Sequence, residues 1–284
     1  MSTLQKIIKY GAMIFGFYLV FIILSFIITG ITAIFGISIG LDAYRTYSSK
    51  NESNIATFNE IYENVTNINI KLDISKLNIK TGDKFKVEVT NPTNEFYCKM
   101  EEDTLKIRDE RSGFNLFNSN DKIIPEIVIY IPENQELNEI KIENGINESY
   151  IQKLVAEEIN IETGVGKFII GDIKADTLNI NGGAGETILE KSTINELKLE
   201  TGVGRFVINS EIGKEAKIQA GIGQLIINLQ GKKDKYKIKT STGLGALFVD
   251  NKKVGNDQII GDGDINIKIE AGVGEAKVNF TDKE

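Results

Sequence analysis

The run Ile159-Asn160-Ile161-Glu162-Thr163-Gly164-Val165-Gly166-Lys167-Phe168-Ile169-Ile170 returns as Leu197-Lys198-Leu199-Glu200-Thr201-Gly202-Val203-Gly204-Arg205-Phe206-Val207-Ile208. Midway stands Leu178-Asn179-Ile180-Asn181-Gly182-Gly183-Ala184-Gly185, so Gly164, Gly183 and Gly202 are evenly spaced at a step of nineteen. Outward from here the glycine–apolar–glycine triplet recurs at Gly221-Ile222-Gly223, Gly243-Leu244-Gly245 and Gly272-Val273-Gly274, with a degenerate copy at Gly145-Ile146-Asn147. A fixed period of this size marks a repeat architecture. Four columns stay apolar through five copies. They are Ile140, Ile159, Leu178, Leu197, Ala216; Ile142, Ile161, Ile180, Leu199, Ile218; Ile151, Ile170, Leu189, Ile208, Ile227; and the triplet centres Ile146, Val165, Ala184, Val203, Ile222.

Residues before each triplet alternate apolar and polar, the period of a half-buried strand. Those after it are β-rich, as in Lys167–Ile170. Each repeat thus holds strand, glycine corner, strand and return loop, with no room for a helix. The expected fold is all-β, a β-solenoid with rungs of about 19 residues stacked at roughly 4.8 Å. The triplet centre is expected to face the core. The step widens from Gly221 to Gly243 and again from Gly243 to Gly272. The polar insertions Lys232–Lys235 and Asn251–Asp264 are expected as rim loops.

The glycines Gly145, Gly164, Gly166, Gly183, Gly185, Gly202, Gly204, Gly221, Gly223, Gly243, Gly245, Gly272 and Gly274 are read as structural corners, where glycine supplies positive φ or close backbone approach. A phosphate-cradling loop needs a further glycine and a following helix, and here a strand follows. Calcium-binding nonapeptide repeats need aspartates in register; Gly182-Gly183-Ala184-Gly185 begins that pattern, but no aspartate recurs. Gly261-Asp262-Gly263-Asp264 is read as an exposed turn, with calcium as the second reading.

Tyr10 to Leu41 is a long run without a charge. It exceeds the roughly 20 residues that span a bilayer and the roughly 7–15-residue apolar core of a cleaved signal peptide. A single-pass anchor at 10–41 is expected, after a cytoplasmic tail at 1–9 and before a polar stalk at 42–64. Lys6 and Lys9 precede the run, so the positive-inside bias places the bulk of the chain outside the cell membrane. A strand-rich lead and cap at 65–140 and regular rungs at 141–284 complete the organisation.

Composition narrows the chemistry. The chain has no histidine, which removes the usual general base, the usual metal ligand and His-based triads. Cys98 is its only cysteine, so no intrachain disulfide or cysteine zinc site forms; it is read as a buried, inert thiol. With 40 acidic side chains a glycosidase-type pair is conceivable, yet Glu143, Glu162 and Glu200 recur in register as a solvated face. Residues 42–284 carry 31 basic and 40 acidic side chains, a net of −9, which disfavours nucleic acid.

The anchor, the strand-rich lead with its Ile127-Val128-Ile129-Tyr130-Ile131-Pro132 segment, and the Thr-Gly-x-Gly corners at Thr163–Gly166 and Thr201–Gly204 together resemble the bacterial putative-adhesin family, over residues 65–280. The resemblance implies a β-helical cell-envelope domain and carries over no catalytic or binding residue. The expected protein is therefore not an enzyme and needs no cofactor. It is a membrane-anchored surface module binding an unknown protein or envelope glycan. The alternative is a structural or regulatory envelope protein that self-associates or works beside a membrane signalling partner.

Overall fold

The computed structural model describes residues 57–110 and 124–281, all within the unit Asn54–Glu284. The expected tail, anchor and most of the stalk lie outside the described residues, as do residues 111–123.

Eleven strands form one sheet system: β1 (Thr57–Tyr62), β2 (Asn67–Gly82), β3 (Phe85–Thr90), β4 (Tyr97–Glu101), β5 (Thr104–Asp109), β6 (Glu126–Pro132), β7 (Leu137–Gln230), β8 (Tyr236–Val249), β9 (Lys252–Val254), β10 (Gln258–Ile260) and β11 (Ile265–Thr281). A short 3₁₀ turn at Lys233–Lys235 is the only helical element among the described residues. None of these residues forms a helix long and apolar enough to cross a membrane. The fold is all-β, consistent with a β-solenoid.

β7 is one extended run of 94 residues that holds five of the triplet copies. Side-chain contacts within it recur at the interval of the triplets. Asn179 Nδ2 donates to Asn160 Oδ1 at 2.8 Å, Asn195 Nδ2 to Asp176 Oδ1 at 2.8 Å and Asn228 Nδ2 to Asn209 Oδ1 at 2.6 Å. Three of the four apolar columns are buried as expected; Ile140, Ile161, Ile170 and Ile227 are at most 1% exposed. These aliphatics belong to one continuous buried cluster, and full burial of such a side chain is worth about 1.5–3 kcal/mol.

The fourth column does not behave this way. Ile146, Val165, Ala184, Val203 and Ile222 are only half-buried, and Leu244 is 59% exposed. The half-buried apolar side chains packed on the core include Ala220 and Ala271, which precede the lead glycine, but not the triplet centres. The corner turns the chain by a positive φ at the second glycine. The centre is half-buried to exposed at the corner and does not form a core column, also where the following residue lacks a positive φ, as at Ile146 and Leu244.

Neighbour order also departs from chain order. The sheet runs β1-β3-β6-β2-β7-β11-β8-β10. β11 pairs in parallel with β7, Val273 opposite Ile222, and on its other side with β8, Val273 opposite Leu244. The last triplet therefore sits between its two predecessors. The Asn251–Asp264 insertion is not a simple rim loop: β9 and β10 pair antiparallel along the free edge of β8. The opposite end repeats the device. β2 lies between β7 on one side and β5 and β6 on the other, all parallel, while β3 and β4 run antiparallel outside β6 and β5. β1, within the segment read as stalk, adds a further strand on β3. Antiparallel covers at both ends protect edges that would otherwise template association.

Candidate functional site

The corner glycines sit where coils touch. A Cβ on Gly145 would stand 2.6 Å from the Asp73 carbonyl oxygen, and one on Gly243 2.7 Å from that of Gly272. Gly164, Gly183, Gly202, Gly221 and Gly272 press on the backbone of the neighbouring coil still more closely. The second glycines Gly166, Gly185, Gly204, Gly223 and Gly274 have φ from 128° to 144°; Gly245 does not share this but abuts Gly274. Their backbone groups are engaged in coil-to-coil packing, which leaves no open cradle for a ligand.

The strand leading into the corner carries charge on its outer side. Lys141 pairs with Glu143 at 2.5 Å, Lys198 with Glu200 at 2.9 Å and Lys268 with Glu270 at 2.5 Å. Glu143 is held below the usual carboxylate range, chiefly by its hydrogen bond from Lys141. Exposed pairs of this kind contribute about 0–1 kcal/mol each. Glu143 and Glu162 also line a shallow groove of about 350 Å³ with Lys71, Asp73, Asn144 and Asn181. No group of three or more Asp, Glu or Cys side chains suited to a metal ion occurs among the described residues.

The strand leaving the corner differs. Its outer positions, one per coil, read Glu148, Lys167, Glu186, Arg205, Gln224 and then Tyr150, Ile169, Ile188, Val207, Ile226. β2 and β11 extend the first row, because Lys76 pairs with Glu148 and Glu275 with Gln224 in the strand register. The charges alternate in sign, and three neighbouring pairs in the row touch. Lys76 meets Glu148 at 3.7 Å, Lys167 meets Glu186 at 3.5 Å and Arg205 meets Glu186 at 2.7 Å. Arg205 Nε then donates to Gln224 Oε1 at 3.3 Å and Gln224 Nε2 to Glu275 Oε1 at 3.5 Å. The second row is half-buried to exposed, with Tyr150 at 43%, and is not among the side chains packed on the core. Beyond it runs an asparagine ladder, Asn209, Asn228 and Asn279. Sequence reasoning missed this face, because Ile169 and Val207 stand between core residues in one apolar run.

The remaining chemistry-bearing side chains are dispersed. Cys98 is half-buried in β4, its thiol pushed up to about 11 by burial. Tyr62 donates to the Cys98 carbonyl oxygen at 3.3 Å and its hydroxyl is raised by burial. Glu101 is held down at about 2 by hydrogen bonds from Lys106 and Lys99. Asp262 and Asp264 are exposed at a turn where Gly261 has φ 77°.

With this geometry, comparison with known proteins gives a family. The Toastrack DUF4097 model matches residues 65–283. The chain belongs to that family. The resemblance read from the Thr-Gly-x-Gly corners is thereby borne out. No curated protein matches the chain. Among solved structures, a putative cell adhesion protein from Clostridium sporogenes ATCC 15579 is 19% identical, with a TM-score of 0.39 over 80% of this chain and 100% of that one. A putative adhesin from Bacteroides fragilis NCTC 9343 is 16% identical, with a TM-score of 0.43 over 81% and 98%. A protein from Parabacteroides distasonis ATCC 8503 named as a putative lipid binding protein is 18% identical, with a TM-score of 0.36 over 81% and 98%.

Proposed function

We propose that this Toastrack chain is a membrane-anchored, extracytoplasmic β-solenoid whose coils follow the triplet period, acting as a non-catalytic, adhesin-like binding module of the cell envelope. The reading rests on one observation above the others. Side-chain chemistry is laid out in ladders along strand faces, the arrangement of an extended contact surface. The uncharged run at 10–41 supports a membrane anchor, and Lys6 and Lys9 support an outward-facing bulk. Recognition is then carried by the strand faces and the β9–β10 end, and the partner is a protein or envelope glycan.

The test is added protease on intact cells that express the full chain. Cleavage of the β-domain without lysis, together with retention of the Met1–Leu41 segment in the membrane fraction, is the expected result. Full protection in intact cells with cleavage only after lysis refutes the placement.

A further inference from the structure

The outer face of the strand after the corner is self-complementary, and we propose that it pairs with the same face of a second copy, the two stacks running antiparallel. Along the stack the charged row reads Lys76, Glu148, Lys167, Glu186, Arg205, plus–minus–plus–minus–plus. Beside it stands the apolar row Tyr150, Ile169, Ile188, Val207 and Ile226, which lies outside the core. A soluble sheet whose outer side faces only water alternates inward apolar with outward polar residues. Here the outward positions hold Tyr, Ile, Ile, Val and Ile over five coils, a length of about 19 Å at the strand spacing.

A homodimer interface is isologous, so each patch must match itself under a twofold rotation. With a twofold axis along the stack, every coil would meet its own equivalent and like charges would face. With the axis across the stack, the row is read in reverse. Placed between the coils of Lys167 and Glu186, that axis sets Lys167 opposite Glu186 of the second copy and Glu148 opposite Arg205. It also lays Ile169 on Ile188 and Tyr150 on Val207. Apolar thus meets apolar and opposite charges meet in a single arrangement, which fixes the orientation as antiparallel. This contact is lateral and leaves the β1 and β10 ends uncovered, so it is distinct from end-to-end stacking. It does not depend on the proposed envelope role.

The test uses the full chain in mild detergent, followed by sedimentation equilibrium over about a hundred-fold concentration range. Wild type is expected to dimerise. Arg205→Glu should weaken the dimer at least about 10-fold, since close interfacial charge pairs couple strongly. Adding Glu148→Arg should restore it. Within one copy these residues are three coils apart, about 14 Å at the strand spacing, so only pairing across copies explains a rescue. Ile188→Glu, checked for folding by circular dichroism, should leave monomer. A wild type that stays monomeric overturns the proposal. So does a dimer indifferent to Arg205→Glu and Ile188→Glu, which would place the contact elsewhere, or a failure of Glu148→Arg to restore.

Discussion

Replacing Gly204 by alanine tests why the corners are glycine. Gly204 has φ 144°, and its Cβ would lie 2.8 Å from the Gly185 carbonyl carbon and 3.0 Å from the Gly185 nitrogen. Those atoms belong to the neighbouring coil's backbone and cannot swing aside. Holding a non-glycine residue in a sparsely populated backbone region costs about 1–3 kcal/mol. Forcing extra volume into a packed contact costs about 1–3 kcal/mol more. The sum, about 2–6 kcal/mol, is a large share of a domain stability of about 5–15 kcal/mol. It lowers Tm by about 4–24 °C at roughly 2–4 °C per kcal/mol for a chain of this size. Val203→Ala, one residue earlier on the half-buried ridge, is the matched control and should stay within about 0.5 kcal/mol. Urea unfolding followed by circular dichroism measures both. Stability in a stack is a sum over neighbouring coils, so hydrogen exchange should accelerate first around Gly185 and Gly204. If Gly204→Ala unfolds within about 0.5 kcal/mol of wild type, the close-approach argument fails.

Two further outcomes are expected. A carboxylate held low stabilises the fold fully above its ordinary value of 4.5 and loses that contribution as pH falls through its folded value. Glu101, at about 2, should therefore titrate by NMR near pH 2, and the β4–β5 hairpin should loosen between pH 4.5 and 2 in wild type but not in Glu101→Gln. Cys98, pushed up to about 11 from 9.0 by burial, should react with iodoacetamide at pH 8 on the order of 100-fold more slowly than a free thiol, in proportion to its thiolate fraction; labelling at the free rate would contradict a shielded thiol.

Much of the fold was legible because side-chain contacts and buried positions recur at the interval of the triplets. Inward positions such as Ile161 and Ile170 therefore announce themselves by recurrence. The triplet centre was misjudged for a physical reason. Val165 is as apolar as its neighbours, but it stands at a corner between two strands, where the alternation of a strand no longer assigns sides, and composition records hydrophobicity without direction. Neighbour order was hidden for another. Val273 fits equally beside Ile222 or Leu244, since all coils present the same columns, so register alone cannot rank them. The clue lay in the widened steps from Gly221 to Gly243 and from Gly243 to Gly272, which give the chain length to pass over one position and return. The outer face was overlooked because Ile169 and Val207, flanked by Phe168 and Ile208, read as part of an apolar run; only the alternation of burial separates the two sides.

The intercalated position of β11 has a consequence for how this architecture varies in size. Because β11 lies between β7 and β8, and β2 is likewise enclosed at the other end, the stack cannot be lengthened by placing a copy directly beside either strand. A duplicated unit added after Thr281 would find β8 already covered by β9 and β10. Growth is confined to the interior of β7, where every junction is equivalent: one more repeat between Gly202 and Gly221 shifts everything downstream by a single layer and disturbs neither closure. The two ends act as fixed terminals on an extensible middle, so relatives of different reach should differ in the number of β7 coils and not in the layout of their ends.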